Sequence, residues 1–325
     1  MVYSIDNLEL ADTKARKGKA YQYGVQMHDK DRDNNIWKLH NMLVNKTFQT
    51  SPYKTFKVYE PKEREVFCLP YFPDRIVHHA AMNVLEPLFV SVFTADSFSC
   101  IKDRGIHGAA RAVRKALRDE AGTQYCLKLD IKKFYPSVDH NILKQLLRRK
   151  IKDAGMLWLL DGIIDSAPGL PIGNYLSQYF ANFYLTFFDH WIKENKSVKY
   201  YFRYADDIVI LSGNKPYLHQ LLADISDYLQ QHLKLTVKQN YQVFPVAARS
   251  IDFVGYRFYH THTLLRKSIK KNFARKVAAG ARPATFASYY GWAKHCQSSN
   301  LLNKLTSNEK IQRTGYKRTN KILSG

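Results

Sequence analysis

The sequence predicts an α+β fold in which helices pack on antiparallel strands, and three observations carry that prediction. One is a hairpin pattern: Tyr201-Phe202-Arg203-Tyr204 and Ile208-Val209-Ile210-Leu211, rich in aromatic and β-branched residues, flank Ala205-Asp206-Asp207 with no glycine at the tip. Another is the stretch from Gly105 to Glu120, which at helical spacing turns Ala109, Val113 and Leu117 inward and Arg111, Arg114, Lys115 and Arg118 outward. Lastly, short strand-like and helical runs alternate along the chain, with no internal repeat and no low-complexity linker.

Taken in order, residues 1–51 are polar, with helical periodicity around Ile36 to Leu43. Lys54 to Phe72 alternates like a strand, is broken by Pro61 and Pro70, and leads to Asp74, placed to cap a helix running toward Leu88 that carries His78 and His79. After the amphipathic stretch, Cys126-Leu127-Lys128-Leu129-Asp130 reads as a short strand ending on a carboxylate. Asn141 to Lys152 is a basic helix and Tyr175 to Asn195 a long apolar one. A helix from Tyr217 to Leu233 separates the hairpin from a strand at Leu235 to Lys238.

Composition narrows the partners. A chain of 325 residues is long enough for a sizeable core, and a net charge of +22 makes it attractive to polyanions. The excess is uneven: from Arg257 to the end there are fifteen Lys or Arg against one acid, Glu309. Tyr289, Tyr290 and Trp292 are interspersed with them, which favours a folded element gripping a nucleic-acid backbone, with a disordered end from about Ser307. Cys68, Cys100, Cys126 and Cys296 lack paired spacing and read as reduced core thiols. His78-His79 and His260-x-His262 lack a Cys or acidic partner at ligand spacing, which argues against a zinc site. No apolar run approaches the ~20 residues of a membrane span, and residues 1–19 lack the apolar core of a signal peptide, so a soluble cytoplasmic protein is expected.

The chemistry is concentrated in the hairpin. Two adjacent carboxylates inside a buried hairpin are costly unless a cation is bound. Side chains alternate along a strand, so one of Asp206 and Asp207 faces the same point as a carboxylate from another strand, and Asp130 is the candidate for that third ligand.

These residues resemble the reverse transcriptases. Tyr204-Ala205-Asp206-Asp207 matches their Tyr-x-Asp-Asp box, and the likeness spans about residues 55 to 260. Arg64 and Asp74-Arg75-Ile76-Val77 look like fingers motifs, Asp130 to Tyr135 like the first catalytic motif, Gly169 to Asn182 like the nucleotide-binding motif, and Phe253-Val254-Gly255-Tyr256 like the primer-positioning hairpin before the thumb. The resemblance implies a right-hand polymerase of fingers, palm and small helical thumb with an antiparallel palm sheet. Its expected divisions are an N-terminal extension (1–53), fingers (54–125), a palm (126–260) with a fingers insertion at about 141–168, and a basic thumb and tail (261–325). Asp130, Asp206 and Asp207 would be catalytic and would hold two Mg2+ ions, with Mn2+ as a substitute; Asp130 and Asp206 rank above Asp207 because the first Asp of the tandem usually carries the metals.

One motif narrows the family. Where most reverse transcriptases read Pro-Gln-Gly followed by Ser-Pro, this chain reads Pro171-Ile172-Gly173-Asn174-Tyr175-Leu176-Ser177-Gln178. That form resembles the enzymes of diversity-generating retroelements, which copy a template RNA with errors at adenines. Ile172 offers no donor or acceptor where Gln would tie the nucleotide to the loop, so selection is expected to loosen; the alternative is that Ile172 simply packs beside Leu170.

The resemblance also assigns supporting roles. Tyr135 would be the aromatic gate beneath the incoming sugar, or Phe134 if the register slips, with Ile131, Ile172, Gly173 and Gln178 lining the nucleotide site. Arg64, with Lys62 as alternate, would hold the triphosphate, unless it serves a structural ion pair. Lys238 is either the general acid for pyrophosphate or a solvated strand end. Tyr204, Gly255, Tyr256, Arg266, Lys267, Lys270 and Lys271 would contact nucleic acid. Ile101 stands where the family has an Arg, leaving that template contact in doubt. Expected partners are template RNA, primer or cDNA, deoxynucleoside triphosphates and a small basic accessory protein, in a bacterial or phage setting. No endonuclease or zinc-finger domain is expected after the thumb. Alternatives are a retron or phage-defence enzyme and, from another class, a non-catalytic RNA-binding protein on a polymerase fold.

Overall fold

The structure is a computed structural model that describes residues 1–59 and 63–306; Pro61, the alternate ligand Lys62 and the end expected to be disordered from about Ser307 lie outside them. Helices α1 (Ile5–Ala15), α2 (Tyr23–Asp29) and α3 (Arg32–Val44) precede strands β1 (Lys54–Val58) and β2 (Arg64–Cys68). A π-turn at Tyr71–Arg75 leads into α4 (Ile76–Val92), followed by α5 (Gly105–Ala116), β3 (Tyr125–Asp130), α6 (His140–Lys150), α7 (Ala154–Ile164), α8 (Tyr175–Tyr184) and α9 (Thr186–His190). Then come β4 (Tyr200–Tyr204), β5 (Asp207–Ser212), α10 (Lys215–Leu233), β6 (Gln242–Pro245), β7 (Ile251–Phe253), β8 (Tyr256–Phe258), β9 (Thr263–Leu265), α11 (Lys267–Ala278), α12 (Pro283–Ala293) and α13 (Ser299–Thr306).

The chain divides into two compact units. One comprises Met1–Cys100, Asp130–Ser197 and Ala223–Gln239; the other comprises Ile101–Leu129, Val198–Leu222 and Asn240–Gly325. In the first, α4 packs on α1 and α8, and α8 packs on α6, burying Ala80, Ala81, Leu85, Phe89, Phe180 and Phe183. Asp139 and Asp153 cap α6 and α7 by accepting from the Ile142 and Met156 amides, and Arg148, Arg149 and Lys150 in the last turn of α6 complement its dipole. β1 and β2 form a separate antiparallel ribbon.

The second unit is built on a four-stranded sheet in the order β4-β5-β3-β6, with β4–β5 and β3–β6 antiparallel. α5 packs on β4, and its inward residues Ala109, Val113 and Leu117 are buried as their spacing requires. A second antiparallel sheet, β7-β8-β9, precedes α11, α12 and α13, the last helices among the described residues, where Phe273, Val277 and Leu305 form a small core with Phe286 and Tyr289. Among the described residues no helix is long and apolar enough to cross a membrane.

Several expectations are corrected. Asp74 does not cap α4: it is fully buried before the helix, and its Oδ1 accepts from the Ser51 amide. The single helix expected over Tyr175 to Asn195 is interrupted at Leu185, where the Thr186 hydroxyl bonds back to the Asn182 carbonyl. Leu235 to Lys238 supplies one isolated bridge, Val237 to Ile131, instead of a strand. Only Cys126 is a core thiol; the other three cysteines are half-buried.

Candidate active site

In the second unit, β4 and β5 pair in register from Tyr200 with Leu211 to Tyr204 with Asp207, so the turn holds only Ala205 and Asp206. Ala205 takes a left-handed φ of 54°, a conformation its Cβ disfavours and the surrounding hairpin has to hold. Arg203, fully buried in β4, donates to the Ala205 carbonyl and pins the turn. The flanks Tyr201, Phe202, Ile208, Val209 and Ile210 are buried, whereas Tyr204, Asp206 and Asp207 are half-exposed. The tandem carboxylates therefore sit at an accessible tip and not inside a buried hairpin.

The neighbouring strand β3 contributes a residue that spacing did not single out. Lys128 places its ammonium 3.4 Å from Asp207 Oδ1 and also donates to the Asp252 carbonyl. Lys128 and Asp130 stand two apart and so share one face of β3, opposite buried Leu127 and Leu129; that alternation was the available signal. Asp252 in turn accepts from Arg266, whose backbone amide bonds to the Gly255 carbonyl. Gly255 sits in the β7–β8 turn at φ 84°, and a Cβ there would collide with Trp292. Tyr256 is fully buried, its hydroxyl donating to the Trp292 carbonyl and lying 3.2 Å from His107 Nδ1, so its expected contact with nucleic acid is corrected to a core role. Lys267, Lys270 and Lys271 are exposed and cluster in the first turns of α11, a helix with no acid in its first turn.

In the first unit, Asp130 is bound by Lys238 twice: the ammonium contacts Oδ1, and the Lys238 amide donates to the Asp130 carbonyl at 2.9 Å. Lys238 is thus a half-buried ion-pair partner and not a solvated strand end. Ile131 is fully buried, which corrects its placement in the nucleotide site. Phe134 is a core residue, while Tyr135 is half-exposed beside it, its ring edge-on at 5.6 Å. Arg64 is exposed at the start of β2 and makes no ion pair with a described residue.

The loop expected to meet the nucleotide docks on β2. The Phe67 amide donates to the Ile172 carbonyl at 2.7 Å, and Gly173, at φ 117°, has no room for a Cβ against the Phe67 carbonyl. Ile172 is half-exposed while Leu170 is buried. Gln178 is exposed one turn into α8.

Carboxylate oxygens are the donors Mg2+ prefers, and each of Asp130 and Asp207 already attracts a lysine cation, so their chemistry fits a divalent ion. Among the described residues, no group of three His, Cys, Asp or Glu side chains stands at ligating spacing.

Comparison with known proteins agrees with this arrangement. The chain is 26% identical over 288 residues to Protein YkfC of Escherichia coli (strain K12), a match spanning 74% of each chain. It is 25% identical over 174 residues to the group II intron-encoded protein LtrA of Lactococcus lactis subsp. cremoris, covering 50% of this chain and 28% of that protein. Among solved structures, the apo telomerase from Candida tropicalis truncated from its C-terminal domain superposes with a TM-score of 0.54 at 14% identity, over 70% of this chain and 59% of that one. Apo telomerase from the same species gives 0.52 over 82% of this chain and 58% of that one. The chain thus spans little more than a quarter of the intron protein and about three fifths of the telomerase chains. Those superpositions identify the fold as the right-hand polymerase fold, with mixed helices and antiparallel sheets. The model of the reverse transcriptase (RNA-dependent DNA polymerase) family matches residues 54–258, from β1 through β8 and including the Asp206-Asp207 hairpin, and the chain belongs to that family.

Proposed function

We propose that this protein is an active RNA-directed DNA polymerase that extends a DNA primer along an RNA template. The observation that carries the reading is the tight hairpin that presents Asp206 and Asp207 at a half-exposed tip, within the matched family domain. Asp130, Asp206 and Asp207 would hold two Mg2+ ions, or Mn2+ in their place, which when bound activate the primer hydroxyl and neutralise the leaving pyrophosphate. Tyr135 places its ring beneath the sugar, Arg64 offers an exposed guanidinium fork to the triphosphate, and Lys238 holds Asp130 in position. The exposed lysines of α11 grip the duplex backbone. In this reading residues 54–125 serve as fingers, 126–260 as palm with a fingers insertion at about 141–168, and 261–325 as basic thumb and tail, after an N-terminal extension at 1–53.

Within that activity we favour the error-prone enzyme of a diversity-generating retroelement, working in the cytoplasm of a bacterium or phage host with a structured template RNA and a small basic accessory protein. Ile172 and Gln178 in the nucleotide loop support this subtype. A second reading, an intron-type enzyme, is supported by the relatedness to LtrA, and a retron or phage-defence enzyme remains the alternative within the same class. A template repeat beside a variable repeat in neighbouring DNA separates the two.

The decisive experiment is primer extension on RNA by wild type, Asp206→Asn and Asp130→Asn in Mg2+. Wild-type extension with loss of activity in both variants, at unchanged thermal unfolding, is the expected result. Activity retained by Asp206→Asn would overturn the metal assignment, and an inactive wild type that still binds RNA would point to a non-catalytic protein.

A further inference from the structure

Asn174 occupies the N-cap position of α8, where an Asn side chain ordinarily accepts from an amide of the helix's first turn, yet it makes no such bond. Its side chain is buried, and its Nδ2 instead donates to the Tyr53 hydroxyl at 2.7 Å. Tyr53 lies 2.8 Å from Ser166 Oγ, and Ser166 Oγ donates to the Ile163 carbonyl at 2.6 Å. Each hydroxyl has one proton. The Ser166 proton is committed to Ile163, so Tyr53 must donate to Ser166, which leaves its lone pairs to accept from Asn174. The relay therefore has one direction: Asn174 to Tyr53 to Ser166 to the end of α7. Burial holds the Tyr53 phenol above its ordinary pKa, so the proton stays in place.

The same loop is held at a second point by the Phe67 amide on the Ile172 carbonyl, and the Tyr53 ring meets Phe67 edge-on at 5.6 Å. The segment Pro171–Asn174 is thus clamped at Ile172 by β2 and, two residues on, at Asn174 by Tyr53, while the Ile172 side chain itself offers no polar group. We infer that Tyr53 is a positioning residue for nucleotide selection, fixing through Asn174 the loop that carries Ile172. The inference rests on the reading above that this loop faces the incoming nucleotide.

The variants Tyr53→Phe, which keeps the ring and its contact with Phe67, and Ser166→Ala, which cuts the far end of the relay, test it. Expected in both is a rise of about two- to tenfold in KM for the deoxynucleotide, the range for loss of one neutral hydrogen bond, with kcat within about twofold of wild type. Misincorporation should rise alongside, and amide hydrogen exchange over residues 170–175 should quicken while thermal unfolding is unchanged. Unchanged KM, misincorporation and exchange in both variants would overturn the inference, as would a fall in kcat that merely tracks a lowered thermal midpoint. If Tyr53→Phe does not fold, Ser166→Ala decides alone, since its half-exposed side chain follows α7 and fills no core. Faster loop exchange in a protein whose wild type does not polymerise would uphold the tether and reject the polymerase reading, so the two failures are distinguishable.

Discussion

The Lys128 ammonium lies 3.4 Å from Asp207 Oδ1 and donates to the Asp252 carbonyl, so one cation on β3 joins the carboxylate hairpin to β7. Two demands meet in that side chain. It offsets the charge of Asp207 when no other cation is near, and it competes with any cation that Asp207 would bind.

Lys128→Met should accordingly lower the Mg2+ concentration needed for half-maximal extension. The side chains are 23% and 27% exposed, which limits the interaction to about 0.5–1 kcal/mol, or roughly two- to fivefold. A Mg2+ titration of primer extension reads the effect, and an unchanged or raised requirement would show that Lys128 serves only β7.

The aromatic pair Phe134–Tyr135 divides into two roles. Phe134 is 2% exposed, so Phe134→Ala should cost stability, about 3–5 kcal/mol by thermal or denaturant unfolding. Tyr135→Ala should leave stability near wild type and lower the ratio of kcat/KM for a deoxynucleotide over its ribonucleotide. An unchanged ratio removes Tyr135 as the sugar gate.

Lys267, Lys270 and Lys271 lie where the α11 dipole disfavours cations. Replacing all three by Gln should therefore not destabilise the helix. It should nonetheless weaken binding to an RNA–DNA duplex and make the slope of log affinity against log salt shallower by roughly two to three, somewhat under one per lost phosphate contact. Equal slopes would show that these lysines do not meet the backbone.

Asp12, 1% exposed in α1, lies within bonding reach of Arg16, Arg32 and Tyr71, with His28 at 3.4 Å. Burial raises its pKa, but the contacts from His28, Tyr71, Arg16 and Arg32 together outweigh burial and hold it well below the usual carboxylate range. A depressed folded pKa gives stability that is complete above the unfolded value of about 3.9 and is lost as pH falls below it toward the folded value. Asp12→Asn should thus destabilise at neutral pH by roughly 2–4 kcal/mol, under the full cost of breaking a buried pair because both guanidinium groups are partly exposed. The deficit should shrink in strong acid; a difference in unfolding free energy that stays constant from pH 7 to pH 2 would contradict this.

By itself the sequence determined the features that depend on neighbours along the chain. The β4–β5 hairpin and its two carboxylates follow from flanking aromatic and β-branched residues, α5 from its inward apolar stripe, and α6 from the basic helical run beginning near Asn141. The order of the motifs placed the chain in its family, as the match over residues 54–258 shows. Tertiary structure decided which partner each polar side chain meets. Lys238 pairs with Asp130 across 108 residues, Asn174 reaches Tyr53 across 121, and Lys128 reaches Asp207 across 79. It also moved Tyr256 and Ile131 from the expected contact surface into the core and left Asp74 buried without a helix to cap. Spacing specifies which face of an element a residue occupies; which distant element covers that face depends on packing of the whole unit, and no local pattern encodes it.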